Sequence, residues 1–140
     1  MSAGDTIPSE AAEAPERPRI VLGVDLLENE RLLDLHRRYG ERFLRRLFTT
    51  TELEQAGWRA ERLVSRFAAK EAAGKALGTG MVTVAWREIE VLRISGGKPA
   101  LRLHGRAAAR ARLLGIAEFD LSISDTKTHT VAVVVGVRDA

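Results

Sequence analysis

A short β-branched run, Arg19-Ile20-Val21-Leu22-Gly23-Val24-Asp25, predicts a buried strand. The pattern then turns helical from about Leu27 to Tyr39, with Gly40 as its expected C-cap. Arg42 to Phe48 continues as a basic, partly apolar segment, and Thr51-Glu52-Leu53-Glu54 fits a capping box that opens another helix. The main helix is expected from about Arg62 to Leu77. Its large apolar members, Leu63, Phe67 and Leu77, are sparse, and alanines fill the gaps, which suits close packing. Arg87 to Ile94 and Pro99 to His104 read as strands joined by a Ser95-Gly96-Gly97-Lys98 turn. Arg106 to Leu114 reads as a helix closed by Gly115, and Phe119 to Ser124 and His129 to Val137 as the last strands. Strands and helices mix without a regular βαβ repeat, so the expected class is α+β, one compact domain over residues 19–140.

Residues 1–18, rich in Ala, Glu and Pro, read as a disordered tail. Asp5, Glu10, Glu13 and Glu16 against Arg17 give this tail a charge of −3, so the rest carries +6 toward the total of +3. A basic body favours anionic partners: phosphates, nucleic acid or an acidic protein. The chain has no cysteine, so thiolate chemistry and disulfides are out. No apolar run approaches a membrane span and no signal-peptide core is present, which makes the cytoplasm the expected location.

Within the main helix, Glu71 and Lys75 sit four residues apart on one face, beside the small residues Ala72, Ala73 and Gly74. Small neighbours leave room for something to approach. A carboxylate with an ammonium one turn away suits a metal–phosphate site, yet the same pair on an exposed face is a surface ion pair contributing about 0.3 kcal/mol. Asp25 ends the first strand, where it can be an N-cap or a metal ligand. Arg31, Arg37, Arg38, Arg42, Arg45 and Arg46, interleaved with leucines, form either a solvated face or a dock for an acidic helix. Aromatic residues make up only 5% of the chain, which argues against a base-stacking platform. The Gly78-Thr79-Gly80 and Gly97-Lys98-Pro99 turns lack P-loop spacing, although Lys98 beside a glycine backbone can hold a phosphate. His36, His104 and His129 lack zinc-ligand spacing, and there is no serine-hydrolase elbow.

Taken in order, Gly23-Val24-Asp25, Arg66-Phe67-Ala68-Ala69-Lys70-Glu71 with Lys75-Ala76, Gly78-Thr79-Gly80, Gly97-Lys98-Pro99 and Leu121-Ser122-Ile123-Ser124 with Thr126 resemble the holo-acyl-carrier-protein synthases, the small 4′-phosphopantetheinyl transferases. The resemblance covers roughly residues 19–137. It implies an α+β fold with a sheet on a long helix, assembled as a homotrimer with active sites between neighbours. It implies transfer of phosphopantetheine from coenzyme A to a serine of an apo acyl carrier protein, releasing 3′,5′-ADP, with Mg²⁺ as cofactor. By position, Asp25 and Glu71 resemble the Mg²⁺ ligands, and Lys75 resembles the lysine that meets the reacting phosphates. Arg66 resembles a coenzyme A contact. Gly97, Lys98, Pro99, Ser124, Asp125 and Thr126 resemble the wall supplied by a neighbouring subunit. The basic helix with Arg31, Arg37 and Arg38 resembles the carrier-protein dock.

The general base is left open between a metal-bound water and Glu52 or Glu54. One departure stands out: where the family commonly has Ser-His-Thr, this chain has Ser124-Asp125-Thr126. An anion there repels phosphate, and alternation of Asp125, Lys127 and His129 on one strand face would let Lys127 or His129 offset it. The competing readings are a non-catalytic relative that binds coenzyme A or a carrier protein, and a small basic nucleic-acid binder. The leading reading implies neither a nucleic-acid nor a membrane partner. The residues do not choose between carriers of fatty-acid and polyketide synthesis.

Overall fold

The computed structural model describes residues 17–139. The expected tail therefore lies, apart from Arg17 and Pro18, outside the described residues. The elements run β1 (Ile20–Glu28), α1 (Asn29–Tyr39), α2 (Glu41–Leu47), α3 (Thr50–Gln55), α4 (Ala60–Ala76), β2 (Ile89–Arg93), β3 (Pro99–Leu103), α5 (Gly105–Leu114), β4 (Ile116–Asp125) and β5 (His129–Arg138). β1, β5 and β4 form an antiparallel sheet in the order β1-β5-β4, and β2 and β3 form a separate antiparallel hairpin. The class is α+β, as the mixed pattern implies.

α4 lies across the inner face of the three-stranded sheet, where Gly23, Asp25 and Leu27 of β1 are buried. Leu63, Phe67 and Leu77 are buried as their spacing requires, and Phe67 stacks on Trp86 with ring centres 4.9 Å apart. The small residues of α4 serve this packing. A Cβ on Gly23 would collide with the carbonyl of Ala72, and one on Gly74 would come within 2.7 Å of the carbonyl of Gly80. What approaches the helix is thus the backbone of β1 and of the following turn, not a ligand.

Three boundaries differ from the sequence reading. β1 continues three residues past Asp25, because pairing with β5 runs on to Glu28 opposite His129. Asp25 is therefore mid-strand and buried, neither a strand end nor a helix cap. The basic segment after Gly40 is a helix, and Gly40 both closes α1 and opens α2. The capping box lies two residues earlier than expected. Thr49 Oγ1 accepts from the Glu52 amide at 3.2 Å, and Glu52 Oε1 accepts from the Thr49 amide at 2.9 Å. Thr51 loses the competition because Glu52 is drawn inward by a buried lysine. Among the described residues no helix is long and apolar enough to cross a membrane.

Candidate active site

The centre of the site is Asp25. β1 aims it inward at α4, and its residue is only 6% exposed. Lys75 Nζ donates to Asp25 Oδ1 at 3.3 Å and to the Val24 carbonyl at 2.9 Å. Asp25 Oδ2 is buried with no hydrogen-bond partner. Native interiors rarely leave a carboxylate oxygen so placed, and the cation such an oxygen binds is one standard reason for it.

Glu71 faces Asp25 from α4. Burial, and after it the charge of Asp25, hold the Glu71 carboxyl above the usual carboxylate range; Arg31 and Lys75 pull the other way. Two carboxylates side by side, one of them resisting ionisation, are two oxygen donors suited to a cation. Among the described residues no three His, Cys, Asp or Glu side chains come together. A pair with an orphan oxygen fits a hard ion that keeps several waters and takes phosphate oxygens. Sequence spacing places Lys75 beside Glu71, but the two form no ion pair here; Lys75 goes to Asp25 instead.

Arg66 lies five residues before Glu71, roughly 7.5 Å along the helix axis. It is buried, and burial draws its pKa down. Its Nε donates to Val91 O at 3.1 Å, and its terminal nitrogens to Arg62 O and Gln55 Oε1, each at 3.2 Å. Arg66 thus fastens α4 to β2 and α3, and shows only an edge to the 430 Å³ cavity it shares with Gly97, Lys98, Pro99, Ile123 and Asp125. A second, strongly polar cavity of 410 Å³ brings Arg62 and Arg93 to Arg66 and Asp125. Arg62, Arg66 and Arg93, in no ion pair among the described residues, carry the positive charge around Asp125. The expected alternation of Asp125, Lys127 and His129 on one strand face does not occur, because β4 ends at Asp125 and His129 opens the next strand.

The wall residues divide. Asp125 shares the inner sheet face with Asp25, whereas Ser124, one residue earlier, lies on the outer face beside Val131. Thr126 Oγ1 accepts from the amides of Thr128 and His129 and closes the turn. Lys98 Nζ lies 3.3 Å from Asp120 on the exposed flank. Asp25 is on edge strand β1 and Asp125 on edge strand β4, two strands and two residues apart, roughly 12 Å. α4 packs mainly on β1 and β5. One chain therefore brings Asp25, Glu71 and Lys75 together, and separately Arg66, Gly97, Lys98, Pro99 and Asp125.

Of the candidate bases, Glu52 is removed: it is fully buried and bonded to Lys70 Nζ at 2.7 Å. Glu54 is exposed on α3. On the basic helices, Arg37 pairs with Glu30 at 2.8 Å and Arg38 with Asp34 at 3.3 Å. Arg42 and Arg46 form no ion pair among the described residues and, with Arg38, Tyr39 and Phe43, line a 510 Å³ cleft. Sequence reasoning missed Asn29, which binds the β4–β5 turn, and the Lys70–Glu52 pair, whose signal was a Lys-Glu step with opposite fates for its two charges.

A family model of the 4′-phosphopantetheinyl transferase superfamily matches residues 21–134. A holo-[acyl-carrier-protein] synthase of Herpetosiphon aurantiacus is 46% identical over 125 residues, covering 84% of this chain and 98% of the relative. One from Halorhodospira halophila is 46% identical over 118 residues, covering 81% and 94%. Among solved structures, the holo-[acyl-carrier-protein] synthase of Neisseria meningitidis superposes with a TM-score of 0.76 at 32% identity, covering 84% of this chain and 98% of that one. The Chronobacterium ammoniagenes ACPS–CoA complex gives 0.73 at 29% identity, covering 88% and 100%. With the motif order, the fold and the match over most of its length in agreement, the chain belongs to the holo-[acyl-carrier-protein] synthases of the 4′-phosphopantetheinyl transferase superfamily.

Proposed function

We infer that this chain transfers the 4′-phosphopantetheine arm of coenzyme A to a serine of an apo acyl carrier protein. The observation that carries the chemistry is the buried, unpartnered Oδ2 of Asp25 beside Glu71 and Lys75. In the reaction the serine oxygen forms a bond to the phosphorus bearing the pantetheine arm. The bond from that phosphorus to the bridging oxygen breaks, 3′,5′-ADP leaves with the electron pair, and the serine proton passes to a base. Asp25 and Glu71 would hold Mg²⁺, which when bound supplies charge neutralisation at the phosphate oxygens. Lys75, half-exposed and already anchored on Asp25 and Val24, adds a fixed positive charge at the same place. Fully buried Glu52 takes no part as a base.

The active form is a homotrimer on this reading. Two features support it. Ile20, Leu22, Val24 and Leu26 leave an apolar stripe on the outer face of β1, each more than half exposed, continuous with Val131, Val133, Val135 and Val137 of β5. An apolar face of this kind is an interface in search of a partner. In addition, none of Asp25, Glu71 and Lys75 lines the cavity of Arg66, Lys98 and Asp125, and a neighbouring subunit would bring such a wall to the carboxylate pair. Leu26→Glu should dissociate the assembly to monomers in sedimentation, with loss of transfer; a monomeric, active wild type would refute the trimer.

The carrier is expected on α1 and α2. Arg42 and Arg46, in no ion pair among the described residues, offer charge there, and Arg31 lies close enough to Glu71 to favour its ionised form, whereas Arg37 and Arg38 are partly neutralised by their own helix. The deciding experiment mixes the protein with an apo carrier, coenzyme A and Mg²⁺ and weighs the carrier. A gain of roughly 340 Da that chelator abolishes supports metal-assisted transfer. Retained coenzyme A binding with no adduct on any carrier would overturn it in favour of a non-catalytic relative.

A further inference from the structure

Asn29 is the first residue of α1, one past the cap position held by Glu28. Here its side chain leaves the helix. Nδ2 donates to the carbonyls of Thr126 at 3.0 Å and Lys127 at 3.1 Å. Oδ1 accepts from Thr130 Oγ1 at 2.7 Å, and the Asn29 amide donates to Thr128 O at 2.9 Å. One residue thus ties the start of α1 to Thr126, Lys127, Thr128 and Thr130, the whole connection between β4 and β5. Only a primary amide offers two donors and an acceptor at this reach; Asp lacks the donors. Asn29 and Thr130 also line the polar cavity that holds Arg62, Arg66, Arg93 and Asp125.

We propose that Asn29 is a positioning residue for coenzyme A, fixing Asp125 and Thr126 against the helix that receives the carrier. This rests on the reading that the β4–β5 turn contacts coenzyme A. A free hairpin tip samples many conformations, and ordering it on binding weakens affinity. With the clamp in place the wall is ordered beforehand. Among the described residues the Asn29 side chain bonds none of Asp25, Glu71 and Lys75, so losing the clamp acts on binding and not on the chemical step.

The test compares wild type, Asn29→Ala, Thr130→Val and the double variant for coenzyme A KM, carrier KM, kcat, melting temperature and calorimetric binding of 3′,5′-ADP. Asn29→Ala should raise the coenzyme A KM and the 3′,5′-ADP Kd at least fivefold, with kcat and carrier KM within twofold. Thr130→Val should give a smaller rise, and the double variant should be no worse than Asn29→Ala, because both act through one bond. An unchanged coenzyme A KM overturns the proposal, as does a fall in kcat that follows the melting temperature. Should Asn29→Ala not fold, an unchanged coenzyme A KM in Thr130→Val overturns it equally. If wild type neither binds 3′,5′-ADP nor modifies a carrier, the coenzyme A reading itself fails; if it does both and the variants match it, the clamp alone fails.

Discussion

Lys70 and Glu71 are neighbours in sequence and opposites in environment. The Lys70–Glu52 pair is closed. Both side chains are fully buried, and the ammonium donates to Glu52 Oε1 at 2.7 Å, Trp86 O at 3.0 Å and Ile89 O. Glu52 in turn accepts from the amides of Thr49 and Val91. Burial draws the Lys70 ammonium down and Glu52 draws it back up. On the adjoining face, the Asp25–Glu71–Lys75 group is open. Asp25 keeps an orphan oxygen, Glu71 resists ionisation, and Lys75 is half exposed. Charge and burial occur in both places. What separates the structural pair from the candidate catalytic one is whether every polar atom already has a partner.

The sharpest way to break the comparison is Glu71→Gln. Transfer should fall about a thousandfold, in line with losing a centre that stabilises transition-state charge. The melting temperature should hold or rise, because a resisting carboxyl is removed. A fall in stability with activity retained would show that Glu71 is structural after all.

Next in size is Lys70→Ala, which strands Glu52 in the interior and should cost about 3–5 kcal/mol. That corresponds to roughly 10 °C or more in melting temperature for a domain this size. Combining Lys70→Met with Glu52→Leu should recover much of the loss, since both charges then leave together. If Lys70→Ala melts like wild type, the closed pair contributes nothing.

The smallest effect is a pH dependence. A raised Glu71 pKa means that the folded state favours the protonated form. Its contribution is fully present below the unfolded value of 4.5 and lost as pH rises through the folded value. A bound cation reverses this by favouring the ionised pair. The rise in melting temperature on adding Mg²⁺ should therefore be greatest near pH 8 and shrink toward pH 5, and Glu71→Gln should flatten it. A magnesium increment independent of pH would contradict the coupling.

Much of the fold was legible because it depends on local chemistry. The spacing of Leu63, Phe67 and Leu77 marks the buried face of α4, and Gly115 takes the left-handed conformation, at φ 73°, that its position after a helix predicts. The Asp25, Glu71 and Lys75 set was legible through motif order. Other features were not, because they depend on residues far apart in the chain. Thr49 rather than Thr51 caps α3 because Glu52 is held by Lys70, 18 residues away. Arg66 carries the pattern of an anion contact, yet its guanidinium is engaged mainly by Val91, Arg62 and Gln55.

Local patterns along the chain were enough for the type and order of most elements, and they put Asp25, Glu71 and Lys75 forward as candidates for phosphate chemistry. Helical and strand periodicity and turn residues act over a few positions, so a linear reading recovers them. The tertiary fold set which carboxylate Lys75 meets and which lysine is sealed in the core. Those outcomes follow from the crossing of α4 over β1, β5 and β4. That crossing sets which charges lose water and which find partners.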